Sequence, residues 1–212
     1  MRPFLLVLSS PSGGGKSTIA RHLLEAREDI GYSVSATTRA PRAGEVDGVS
    51  YHFLSEDEFS RREAAGEFAE TARYGGARYG TLRSEVERVM GEGRNVVLDI
   101  EVQGARQVRR VFPDAVQVFV VPPSGPALLD RLRGRGTEDD SALAGRLDTA
   151  ALELDAVPEY DYLVVNDDLV QAVDQVAAIL DAESCRINRL QNLEDVIGTI
   201  RADVAALVPK PR

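Results

Sequence analysis

Lysine is almost missing from this chain. Of its 25 basic residues only Lys16 and Lys210 are lysines, and arginine supplies the rest. Cysteine is scarcer still. The single Cys185 has no intrachain partner for a disulfide, which fits a reducing compartment, with the cytoplasm as the expected location. Positive charge is in deficit, because 34 acidic residues leave a net charge of −9. That balance argues against a general nucleic-acid binder, which needs a basic face. It leaves open a nucleotide site built from a local basic cluster. Long apolar runs are lacking as well. None approaches the roughly 20 residues of a membrane span, so no membrane partner is expected. The first run, Phe4–Leu8, is shorter than the roughly 7–15 residues of a signal-peptide core and reads as a buried strand. Only two histidines are present, His22 and His52, and neither is expected to carry chemistry.

What remains is ordinary globular material, 43% hydrophobic and 28% charged over 212 residues. That length suits one domain with a core large enough to fold without staples. Short continuous apolar runs, FLLVL from Phe4, VVLDI from Val96, VQVFVV from Val116 and YLVV from Tyr162, alternate with helical patterns. The helical patterns cover Ser17–Arg27, Val102–Arg110, Pro126–Leu132, Ser141–Ala156 and Leu169–Ala182. Continuous rather than alternating apolar character predicts parallel strands buried on both faces. The alternation predicts an α/β sandwich. Two stretches interrupt it. Residues of about 35–90 are polar, with short alternating runs at Tyr32–Ala36 and Val49–Phe53, and predict an inserted subdomain of antiparallel character. Residues of about 133–145 hold two Gly–Arg pairs and an acidic run, and predict a mobile loop. After them, Arg186–Val208 has helical spacing, ended by Pro209 and Pro211.

The strongest local signal is Ser10-Pro11-Ser12-Gly13-Gly14-Gly15-Lys16-Ser17-Thr18. It follows an apolar strand and opens a helix, the context of a phosphate-binding loop. Glycines let successive backbone N–H groups turn inward onto phosphate oxygens, and the helix N-terminus adds positive potential. Lys16 then reaches the β- and γ-phosphates and the Ser17 hydroxyl faces a metal ion. The pattern G-x₄-G-K-[ST] has Ser10 in its first glycine position, so the backbone there must have negative φ. Asp99 ends the VVLD strand, where a metal-directed carboxylate belongs in such a fold. Arg39 and Arg42, three apart around Pro41, form a candidate fork for a phosphate dianion, with tyrosine hydroxyls to complete it.

Taken together these segments resemble the guanylate kinase family. The pattern S-x-T-T-R-x-P-R-x-G-E spans Ser35 to Glu45. It follows the loop Pro11–Thr18 and precedes Asp99-Ile100-Glu101-Val102-Gln103-Gly104. Arg135-Gly136-Thr137 and Asn166-Asp167-Asp168 also match. The resemblance runs from about residue 4 to 183. It implies a P-loop three-layer α/β sandwich with a parallel core sheet, an inserted GMP-binding subdomain and a short lid. The chain would then be one domain, with a core of 1–34 and 91–212, an insert of about 35–90 and a lid of about 131–146. The implied activity is ATP-dependent, Mg²⁺-requiring phosphorylation of GMP and dGMP.

Residue by residue, the resemblance implies that Ser12, Gly13, Gly14, Gly15, Lys16, Ser17 and Thr18 bind ATP. Ser17 and Asp99 would serve Mg²⁺. Arg39, Arg42, Tyr51 and Tyr79 would hold the GMP phosphate. Ser35, Glu70, Thr81 and Glu101 would approach guanine, with Thr81 standing where the family often has serine. Arg131, Arg135 and Arg146 would close with Lys16 over the transferring phosphoryl group. The chemistry of Glu70 agrees, since guanine offers N1–H and N2–H₂ on one edge and a carboxylate accepts both, whereas adenine lacks that pair. A phosphate acceptor is largely dianionic at neutral pH, so no base is required. The alternative is a guanylate-kinase-like binding module without turnover, against which the intact Gly13–Thr18 segment argues. A regulatory GTPase is disfavoured because Asn166-Asp167-Asp168 is not the expected N-K-x-D. The tail from Glu183 is left to pack on the core or on a second subunit, and the oligomeric state is open.

Overall fold

The computed structural model describes residues 1–74, 76–134 and 140–207. In chain order its elements are β1 (Leu5–Ser9), α1 (Lys16–Ala26), β2 (Ile30–Tyr32), β3 (Ser35–Thr37), β4 (His52–Phe53), α2 (Glu56–Ala64), β5 (Phe68–Tyr74) and β6 (Ala77–Leu82). They continue with α3 (Arg83–Gly91), β7 (Asn95–Asp99), α4 (Val102–Val111), β8 (Val116–Val121), α5 (Gly125–Arg133), α6 (Asp140–Leu154), β9 (Tyr162–Val165), α7 (Leu169–Ser184) and α8 (Leu193–Leu207). Short 3₁₀ turns sit at Val157–Glu159 and Ile187–Arg189.

The continuous apolar runs do form a parallel sheet, in the order β2-β7-β1-β8-β9. Alternate residues of β1 serve opposite layers. Leu6 and Leu8 pack with Ile19 and Leu23 of α1 and Val176 and Leu180 of α7. Leu5 and Val7 pack with Val86 and Val89 of α3 and Ala105 and Val108 of α4. The result is a helix–sheet–helix sandwich. Burial on both faces is why these strands read as unbroken apolar runs. Each fully buried Val or Leu contributes roughly 1.5–3 kcal/mol from apolar area removed from water.

The register places Leu8 opposite Asp99 and Ser9 opposite Phe119. The chain leaving β1 therefore emerges between β7 and β8, where the strand order reverses. In an open parallel sheet that crevice is the place for a ligand.

A second sheet, β4-β3-β6-β5, stands beside the core. β3–β6 and β5–β6 are antiparallel, as the alternating runs predict, but β3–β4 is parallel. Its own core is small: Phe59 of α2 stacks on Phe68 of β5, with ring centroids 4.4 Å apart, over Ala36 and Leu82. Ser55 caps α2 by accepting from the Glu58 N–H. The run Tyr32–Ala36 is not one strand. Ile30–Tyr32 adds an edge to the core sheet and Ser35–Thr37 enters the small one. Residues 135–139, including Arg135, and 208–212 lie outside the described residues.

Candidate functional site: a cleft between the two sheets

A cleft of about 920 Å³ runs from the loop after β1 to the face of the small sheet. Its floor at one end is the loop Ser10–Lys16. Gly13 and Gly15 adopt φ of +90° and +100°, a region closed to most side chains. Gly14 has another constraint. A Cβ there would lie 2.6 Å from the Ser10 Cβ. Ser10 itself keeps negative φ, as its side chain requires, and its hydroxyl donates to the Pro11 carbonyl at 3.0 Å. No side chain caps the N-terminus of α1, so its first N–H groups and positive end face the loop.

Lys16 is the cation at the centre. Its Nζ lies 3.1 Å from Glu101 Oε1 and 3.6 Å from Asp99 Oδ1. Both carboxylates are delivered by the end of β7 and the first residues beyond it. Ser12, Gly13, Gly15, Lys16, Ser17, Asp99 and Glu101 all line the cleft. Gly14 and Thr18 do not. Gly14 turns its carbonyl to the Asn166 amide, which donates to it at 2.9 Å, and Thr18 sits in the first turn of α1, its N–H on the Gly15 carbonyl.

At the far end the small sheet contributes Ser35, Tyr51, Glu70 and Tyr79 to the lining. Thr81 is buried behind them and donates from its hydroxyl to Glu70 Oε1 at 2.8 Å. The antiparallel register pairs Ser35 with Thr81 and Glu70 with Thr81, which is how residues 35, 70 and 81 converge. Burial pushes the Glu70 carboxyl above its ordinary range, and the hydrogen bonds from Thr81 only partly oppose this. The folded chain thus holds that proton to higher pH than the unfolded chain. Its contribution to stability is full in acid and is lost as pH rises through the folded pKa.

The arginine fork does not line the cleft. Arg39 is engaged by Glu45 through two hydrogen bonds at 2.8 and 3.0 Å, with its guanidinium 5.4 Å from the Tyr51 ring centroid. Arg42 is exposed, and its backbone N–H donates to the same carboxylate at 2.7 Å. Glu45 therefore holds the Arg39 guanidinium beside Tyr51 and pins the Arg42 backbone to the same carboxylate.

Arg146 of α6 lines the cleft and donates to Ser12 Oγ at 3.0 Å. Arg131 of α5 is set back, donating to the Asn166 carbonyl at 2.7 Å and to Gly14 at 3.5 Å.

Two participants carry no role in the sequence reading. Asn166 buttresses the phosphate loop from the end of β9. A Cβ on Gly15 would come within 2.2 Å of its amide nitrogen. Glu153 of α6 lies beside Glu101, and its carboxyl is pushed up to about 7, first by burial and then by that second acid. Both contacts join segments far apart in the chain, so no local spacing announces them.

The comparisons with known proteins fall on the same elements. The guanylate kinase family model matches residues 2–183. The chain belongs to the guanylate kinase family. Guanylate kinase of Clostridium perfringens is 48% identical over 190 residues, covering 90% of this chain and 88% of that protein. Guanylate kinase of Symbiobacterium thermophilum is 51% identical over 185 residues, covering 87% and 88%. The crystal structure of guanylate kinase from Anaplasma phagocytophilum superposes with a TM-score of 0.72 at 35% identity, over 93% of this chain and 94% of that one. Every guanylate kinase site residue named from the sequence lies inside the matched segment, whereas α8 lies beyond it. Among the described residues no helix is long and apolar enough to cross a membrane.

Proposed function

We propose that this chain transfers the γ-phosphoryl group of ATP to GMP or dGMP, giving ADP and GDP or dGDP. The observation that carries this reading is one cleft with two unlike ends: a glycine-rich phosphate loop around Lys16, and the buried Glu70–Thr81 pair beside Ser35.

Guanine enters at the second end. Glu70 accepts its N1–H and N2–H₂, with Ser35 and Thr81 hydroxyls alongside and Glu101 near the base. A ring without that donor pair leaves the buried carboxylate with Thr81 as its partner and its ligand-facing acceptors unmet, a mismatch worth roughly 10⁴-fold in discrimination. Arg39, Arg42, Tyr51 and Tyr79 take the GMP phosphate. Ser12 to Thr18 cradle the ATP phosphates, with Lys16 on the β- and γ-oxygens. Arg131, Arg135 and Arg146 spread the positive charge over the transferring group and exclude water as the lid of about 131–146 closes. The small sheet of the insert moves with GMP against the core, while α3 at the end of the 35–90 stretch stays packed on the core sheet. Positioning and electrostatics supply the rate, because the acceptor phosphate is already a dianion.

A hydroxyl at Ser17 and a carboxylate at Asp99 form a hard-oxygen donor set of the kind Mg²⁺ accepts when nucleotide phosphates and waters complete its shell. Among the described residues there is no cluster of three or more acidic, histidine or cysteine ligands, which suits an ion that arrives on the nucleotide. With Ser17 and Asp99 as its protein donors, a bound Mg²⁺ would supply positive charge against the nucleotide phosphates.

The test is ADP release from ATP with GMP, AMP, CMP and UMP in parallel. Turnover with GMP at least about 10⁴-fold above AMP in kcat/KM is expected. Equal use of AMP rejects the guanine assignment, and no turnover with any monophosphate favours a binding module. The raised Glu70 pKa adds a pH signature. GMP needs the carboxylate, so KM for GMP should rise as pH falls through that pKa, and the part of this rise that Glu70 causes should be missing in Glu70→Gln. Steady-state measurement of KM for GMP as a function of pH, in the parent and in Glu70→Gln, checks it.

A further inference from the structure

The helix α8 has no buried residue, yet it carries a regular apolar seam. Leu193, Ile197, Ile200, Val204 and Leu207 follow one another at intervals of four, three, four and three, the repeat of a coiled coil. Leu193 and Ile197 are partly covered, but Ile200, Val204 and Leu207 are 52%, 55% and 81% exposed. Fifteen residues make a marginal helix in water. Gly198 in the middle lowers the propensity by about 1 kcal/mol relative to alanine, and β-branched residues lower it further. The helix gains most from a partner that covers the seam.

The base of α8 is held firmly. Arg189 is buried, donates to the Asp114 carbonyl at 3.0 Å and to Glu183 at 3.3 Å, and stacks 4.2 Å from the Phe4 ring. Its own carbonyl accepts from the Arg2 N–H at 2.7 Å. The chain is thus tied to the core immediately before α8, and the outer half of the seam, Ile200, Val204 and Leu207, is left to solvent.

We propose that α8 is a self-association element, and that two copies of this chain pair through antiparallel α8 helices. Charge placement selects both the partner and the direction. With Ile197 and Val204 at the first seam position and Leu193, Ile200 and Leu207 at the second, Glu194 and Arg201 occupy the same flanking position one heptad apart. In an antiparallel pair that position faces its own equivalent. Aligning Ile197 with the partner's Ile200, and Leu193 with the partner's Val204, brings Glu194 against the partner's Arg201. Symmetry repeats the contact, so the seam closes with two opposite-charge pairs. A parallel pair sets Arg201 against the partner's Val196 and Glu194 against the partner's Arg189, which is buried in the core. That alignment makes neither pair within the helices. The contact is short, at the low end of interface sizes, so association in the roughly 1–100 µM range is expected.

Sedimentation equilibrium of the full chain across that range is the experiment. A concentration-dependent dimer is expected. Ile200→Asp should make it monomeric while turnover with GMP and ATP, which depends on residues remote from α8, stays unchanged and reports an intact core. Glu194→Arg and Arg201→Glu should each weaken the dimer about tenfold, and the double exchange should restore it. A chain that is monomeric throughout overturns the proposal, as does a dimer that survives Ile200→Asp. Failure of the double exchange to restore association overturns the antiparallel pairing.

Discussion

Lys16→Met should lower kcat about 10³-fold, equivalent to about 4 kcal/mol of transition-state stabilisation. Lys16 stands between the phosphate loop and the Asp99 and Glu101 carboxylates, at 3.6 and 3.1 Å. The transferring group spreads negative charge over its oxygens, and a fixed ammonium in a site closed to water meets that charge without reorganising. Methionine keeps much of the length and apolar stem, so the fold should persist. Its loss also leaves two acids facing each other with less compensation, which disfavours an incoming polyphosphate. Single-turnover measurement of ADP formation separates the chemical step from nucleotide binding. A rate within about threefold of the parent excludes Lys16 from the chemistry.

Glu70→Gln should reduce kcat/KM for GMP by about 10²-fold or more, with KM for ATP unchanged. The substitution preserves size but turns one acceptor into a donor, which opposes the guanine edge. It also removes an ionisable group whose charged form burial disfavours. At neutral pH the variant should therefore be as thermally stable as the parent or more so. The fall in activity and the rise in melting temperature point in opposite directions, which distinguishes a recognition residue from a packing one. The pH step in KM for GMP should vanish with the carboxyl. An unchanged GMP preference rejects the recognition role.

The sequence is most legible where a single local cause operates. Strands β1, β7, β8 and β9 and helices α1, α4, α5 and α7 appear within a residue or two of their apolar patterns, because burial on two faces or one stripe dictates composition directly. It fails where neighbours decide. Ile30–Tyr32 is a three-residue edge whose Gly31 is set by Val89, since a Cβ at that position would meet Val89 Cγ1 at 2.3 Å. Helix α2 buries only Phe59, so its sequence shows no stripe. Helix α3, inside the stretch read as an antiparallel insert, packs Val86 and Val89 on the core sheet.

The candidate site divides the same way. The phosphate loop is contiguous and can be read from its own spacing. Glu70 takes its meaning from Thr81 across a strand pair, and Asn166 from a loop at the opposite end of the chain. Arg39 and Arg42 read as a fork for a phosphate dianion, whereas Glu45, three residues on, holds the Arg39 guanidinium and the Arg42 backbone N–H.

The scarcity of lysine and the placement of Lys16 give the molecule a built-in reporter. Its only lysines in the sequence are Lys16 and Lys210, and the Lys16 side chain is 14% exposed. An amine-directed acylating reagent therefore produces very few products, and the adduct on the peptide carrying Lys16 measures how often triphosphate shields the loop. Occupancy could then be followed by mass alone, in crude mixtures, without a label on the nucleotide.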